Sequence, residues 1–142
     1  MKSAKLDDNV YALRLDPGDD IHASIEAYCA QYELFNAQIA GIGSIENPTL
    51  AHYSMQTRQF TDKQLEGIYE ITSLMGNVAR VDGKAFTHLH VTISDADMIA
   101  RAGHLVSGRC SATLEIVITS YYSRHTKTDN PTIGLKVWDF GD

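Results

Sequence analysis

The pair Asp82-Gly83 constrains this chain more than any other two residues. Asp-Gly between two alternating segments is a two-residue hairpin signal, because both central positions of that turn need positive φ. After it, Phe86, His88, His90 and Thr92 point to one face, and Thr87, Leu89, Val91 and Ile93 to the other. The second set is apolar and β-branched, so it faces a core. The first set carries two imidazoles two residues apart, which places their Cβ atoms roughly 6–7 Å apart along a strand.

That spacing lets two ring nitrogens converge on one ion. Gly103-His104, fourteen residues beyond His90, supplies a third imidazole from a separate, loop-like segment. Three histidines with an open fourth position suit a divalent transition metal, and neutral imidazole favours zinc. His-x-His also occurs on ordinary half-exposed sheet surface, and spacing alone does not separate the two readings.

Composition narrows the alternatives. The net charge of −6, with twelve Lys and Arg and no run of them, disfavours direct nucleic-acid binding, which needs a clustered basic surface. The two cysteines, Cys29 and Cys110, form no motif and read as buried thiols of a cytoplasmic protein rather than a disulfide. The polar stretch 1–9 has no signal-peptide pattern, and no apolar run reaches the ~20 residues that span a bilayer. A chain of 142 residues suits one domain, 1–142, with a core of its own.

Along the chain, Val10 to Leu15 alternates as a strand, and Asp16-Pro17-Gly18 is a turn. Asp19 or Asp20 caps a helix whose Ile21, Ile25, Tyr28, Cys29 and Tyr32 share one face, leaving His22 on the surface. Phe35 to Ile42 reads as a buried strand ended by Gly41-x-Gly43, a structural turn rather than a phosphate cradle. Asn47-Pro48 is a further turn before a strand from Leu50 to Met55, in which His52 is a spare imidazole. Arg58 to Asp62 reads as a short strand or bend, and further strands are expected at Gly67 to Leu74, Gly76 to Val81, Lys84 to Ser94 and Ala112 to Ser120. Glu70 sits within one of them, on an exposed face or near a shared cavity.

Asp95-Ala96-Asp97 reads as the cap of a short helical or irregular stretch through Ala102. Tyr121 to Pro131, with His125, reads as a polar loop able to cover a site, and Ile133 to Phe140 as the last strand. The expected fold is α+β: a mostly antiparallel mixed sheet with one main helix and a second short one. Glu115, on the outward face of its strand, is the candidate catalytic carboxylate, either orienting a ligand histidine or acting as a base. A cross-strand or intersubunit ion pair explains it equally well.

Gly76-Asn77-Val78, Asp82-Gly83, His88-Leu89-His90-Val91, Gly103-His104-Leu105, Gly108 and Thr113-Leu114-Glu115-Ile116 together resemble the PPC (plants and prokaryotes conserved) domain. Arg14-Leu15, Gly18-Asp19-Asp20-Ile21 and Gly41-Ile42-Gly43-Ser44 fit the same pattern, so the resemblance runs from about Val10 to Val137. Ala102 departs from it, since the family usually has a second glycine there. The resemblance implies a compact α+β subunit, a homotrimer and, in some prokaryotic members, a metal held at the positions of His88, His90 and His104.

Three functions remain open on the sequence. One is a metal-centred pocket for a small anionic or carbonyl ligand, where zinc could activate water against an ester, amide or lactone. No serine elbow, P-loop or HExxH accompanies it. Another is a regulatory module associated with DNA or a protein partner; plant relatives bind DNA through a separate AT-hook, whose Arg-Gly-Arg-Pro core is missing here. In the third, the histidines only fix a subunit interface.

Overall fold

The computed structural model describes residues 1–141. Its elements are β1 (Lys2–Asp7), β2 (Val10–Leu15), α1 (Ile21–Gln31), β3 (Asn36–Ser54), β4 (Gln59–Gln64), β5 (Ile68–Val81), β6 (Lys84–Ser94), β7 (Ala100–Tyr121), β8 (Lys127–Asn130) and β9 (Leu135–Trp138). The polar start of the chain is thus ordered as an edge strand, all of it exposed.

The hairpin forms where the sequence places it. Asp82 and Gly83 have φ of 49° and 79°, and Val81 pairs with Lys84 across the turn. The turn fixes the register, so Asn77 faces His88 and Met75 faces His90. The helix also starts as read: the Asp20 side chain accepts a hydrogen bond from the Ala23 amide. Ile21, Ile25, Tyr28 and Cys29 are buried, whereas Tyr32 lies at the C-cap and is half exposed.

Two long strands replace several short expected ones. Gly41-x-Gly43 does not end β3; it makes a bulge, with register shifts against both β5 and β7. A Cβ at Gly43 would collide with the backbone of Thr113, so the close approach explains the glycine. Asn47 takes φ of 46° and kinks the same strand rather than breaking it, while its Oδ1 accepts from the Gly67 amide. Likewise, β5 runs unbroken through the two strands expected at Gly67 to Val81.

No second helix follows Asp95 among the described residues. Its carboxylate instead accepts from the Asp97 and Ile99 amides and pairs with Arg101 at 2.7 Å. These bonds close a tight turn, with Met98 at φ of 60°, that feeds straight into β7. His104 therefore stands on a strand and not on a loop. Within the expected polar loop, Lys127–Asn130 forms β8 and pairs with the short β9.

The sheet order is β1-β2-β7-β6-β5-β3-β4, with every ladder antiparallel. Because β3 also pairs with β7, the strands β3, β5, β6 and β7 close a circuit. Their inward residues, including Ile39, Leu74, Leu89, Ile93, Leu114 and Ile118, form one core with the apolar stripe of α1. The β8–β9 ribbon lies against the main sheet through an Arg80–Thr126 bridge and a hydrogen bond from Tyr53 to the Ile133 carbonyl. No helix of the described residues is long and apolar enough to cross a membrane.

Candidate metal centre

His88 and His90 share one face of β6, as the alternation requires. His104 on β7 stands directly opposite His90, with Ala51 of β3 on its other side. The ring centroids form a nearly equilateral triangle: 5.2 Å from His88 to His90, 5.3 Å from His88 to His104 and 5.5 Å from His90 to His104. One ligating nitrogen from each ring lies within 4.8 Å of the others. Tetrahedral zinc with Zn–N of about 2.0–2.1 Å wants nitrogens about 3.4 Å apart, a closing that small χ rotations supply.

The protonation state suits ligation. Burial, then the charge of Lys127, then His104 and His90, push His88 down to about 4. Burial, followed by His90 and His22, also holds His104 below the ordinary imidazole value, against an opposing pull from Asp62. Both rings are therefore neutral near pH 7, with lone pairs free to bind a cation. The three histidines fit a divalent metal and could hold one.

They open on a cavity of about 770 Å³ with Tyr53, Phe60, Phe86, Ala102 and Leu135 in its walls. Phe60 packs 5.3 Å from the His104 ring, and Tyr53 lies 4.8 Å from Phe60. His52 lines the same cavity but is exposed and stands outside the triad. His125 lies elsewhere, with its exposed ring edge-on to Phe140.

Glu115 lies apart from the triad within the chain. It pairs with Arg14 of β2 and Ile42 of β3, eleven residues along β7 from His104, about 35 Å of strand. It lines other cavities, one of about 710 Å³ with Arg14 and one shared with Glu70. Within one chain Glu115 and the triad therefore stand well apart along β7.

Two residues outside the expected set matter more. His22 is half buried, not on the surface. Its Nδ1 lies 2.6 Å from the Thr87 hydroxyl, and its Nε2 donates to the Leu105 carbonyl at 2.9 Å. Thr87 precedes His88 and Leu105 follows His104, so one helix side chain ties together the two strands that carry the triad. Glu26 adds to the tie, because its Oε1 accepts from both the amide and the hydroxyl of Thr87. Lys127 is the other: 5% exposed, it donates to Asn77 Oδ1 at 2.6 Å beside His88. A helix position next to a buried isoleucine is the only hint for His22; nothing local marks Lys127.

Comparisons with known proteins bear on the family and the fold. The family model of the Plants and Prokaryotes Conserved (PCC) domain matches residues 2–122. A candidate DNA-binding protein from Bacteroides thetaiotaomicron VPI-5482 superposes with a TM-score of 0.93 at 31% identity, covering 98% of this chain and 96% of that one. A PPC protein from Pyrococcus horikoshii gives 0.86 at 27% identity, over 94% and 92% of the two chains. A metal-containing protein from Archaeoglobus fulgidus gives 0.83 at 29%, over 91% of each. A bifunctional protein GlmU of Synechococcus sp. (strain JA-3-3Ab) is 32% identical over 128 residues, which are 88% of this chain and 19% of that protein. The chain therefore spans about a fifth of that relative's length, whereas it matches the solved structures nearly end to end. With the family model covering most of its length and the histidine strands at its centre, this chain belongs to the Plants and Prokaryotes Conserved domain family.

Proposed function

We propose that the protein binds a divalent metal, zinc in the first instance, through His88, His90 and His104, and offers the remaining coordination position to a small ligand. The observation that carries this reading is the triangle of ring nitrogens within 4.8 Å at the floor of a cavity. The metal-containing relative from Archaeoglobus fulgidus supports it. When bound, zinc supplies Lewis acidity; the chain's own part is to hold three neutral donors and to wall the cavity with aromatic rings. The hydrolase reading has less support, because Glu115 lies far along β7. A homotrimer remains our reading of the assembly from the family resemblance, and a cytoplasmic location our reading of the two free thiols.

Metal analysis of purified, tag-free protein tests the proposal. One zinc per chain is expected, and none in the His88→Ala, His90→Ala pair. Metal well below one per chain after purification without chelator, with no uptake on titration, overturns it.

A second reading draws on the candidate DNA-binding relative. The net charge of −6 weighs against direct contact with phosphates. Fluorescence anisotropy with labelled duplex DNA at low salt decides it: a flat titration excludes direct binding, and a steeply salt-dependent one revives it.

A further inference from the structure

The geometry points to a definite ligand class for this centre: a small monocarboxylate carried on a flat apolar or aromatic body. The inference rests on the metal reading above and goes beyond it by naming what completes the site.

Charge argues for the carboxylate. Among the described residues the ligating group is three histidines alone, with no acid to offset a divalent ion. Lys127 adds a further positive charge. The residue is 5% exposed, and its ammonium uses one donor on Asn77 Oδ1 and lies 5.2 Å from the Trp138 ring. Residues directly opposite in a ladder share a face, and Asn77 stands opposite His88, so Lys127 sits on the triad's side of the sheet. No described ion pair neutralises it.

The acids that face the site do not cancel this. Asp129 lines the cavity but pairs with Lys136 at 2.8 Å and is 80% exposed. Asp62 acts on His104 from an exposed strand, where solvent screens it. A bound divalent ion with Lys127 therefore leaves a net positive, partly dry centre, and an anion at the open position balances it.

Shape argues for the flat body. Phe60, Tyr53, Phe86, Ala102 and Leu135 give the lining its ring faces and methyls, while His52 and the Asp129–Lys136 pair make up its polar part beyond the triad. A cavity of about 770 Å³ is far larger than acetate or an inorganic anion requires. Such anions would leave these walls wet, whereas a ring would stack against Phe60 and dry them.

Cobalt(II)-substituted protein provides the test, since the visible band of the ion reports a change in its ligands. Benzoate is expected to shift that band with an apparent Kd at least about tenfold below that of acetate, and benzyl alcohol to leave it unmoved. Phe60→Ala should bring benzoate close to acetate. Lys127→Met should weaken both carboxylates by a few-fold at unchanged cobalt content, because it removes a buried positive charge behind His88. Cobalt bound at one per chain with a band that benzoate does not move, or that benzoate and acetate move at equal concentration, overturns this inference alone. A wild-type protein that takes up no cobalt overturns the metal reading and this one with it.

Discussion

His22 of α1 and Thr87 of β6 meet ring nitrogen to hydroxyl at 2.6 Å, although 65 residues separate them. The other ring nitrogen reaches the carbonyl beside His104. A surface histidine would be free to change; this one holds the register of the triad from behind. His22→Ala should cost about 1–3 kcal/mol, because it strands a buried carbonyl and removes a partner from Thr87. It should also weaken zinc binding by about 10–100-fold, as loss of a supporting bond behind a metal ligand does. Urea denaturation and competition with a chelator measure the two effects separately.

The triad histidines should separate metal binding from folding. His90 is exposed and makes no described hydrogen bond. His90→Ala is expected to change metal-free stability by no more than about 0.5 kcal/mol while abolishing tight metal uptake. Thermal melts with and without chelator show this as a lost metal-dependent rise in Tm.

Acid should weaken the metal-free protein in a defined window. His88 titrates at about 4 in the folded chain, against an ordinary value of 6.5. Between those values the unfolded chain binds more protons, so stability falls as the pH drops from about 6.5 toward 4 and levels off below. His104 shifts in the same direction. Tm of the chelator-treated protein should decline across that range, and His88→Asn should flatten the decline.

Gly76 lies in β5 opposite Leu89, where a Cβ would run into the carbonyl of His88. Gly76→Ala must push β5 and β6 apart at the ligand. A loss of about 1–3 kcal/mol is expected, together with weaker zinc binding. Guanidinium denaturation and metal titration check it.

Burial pushes the Cys29 thiol up to about 12, and Cys110 is also raised by burial. Neither is a thiolate at neutral pH. A thiol reagent should find almost no reactive cysteine in the native protein and two after denaturation.

Features written in local chemistry could be read from the sequence; those set by distant partners could not. The Asp82-Gly83 turn, the Asp20 cap and the two faces of β6 each depend on residues a few positions apart. Gly43 and Asn47 look like strand ends, yet β7 supplies pairing on both sides of them, so the strand bends and continues. Asp95 looks like a helix cap because its carboxylate suits free amides, but it closes a turn on Asp97 and Ile99 instead. The triad was visible as residue types and spacing; its convergence depended on the ladder that sets His104 against His90. The distance of Glu115 from the triad was not legible because alternation gives a face and not a position along 22 residues of strand. Lys127 escaped notice because its burial comes from a ribbon that folds back over Asn77.

The closed circuit of β3, β5, β6 and β7 has a consequence for how this protein meets other chains. Only β1 and β4 end the strand order, and every residue of both is exposed. Lys2, Lys5 and Asp7 stud one rim, and Asp62 and Lys63 the other. A foreign strand seeking free amides would have to lie down among these charges, which guards against runaway fibre growth. His90 and His104 lie inside the circuit instead, His90 flanked by β5 and β7 and His104 by β6 and β3.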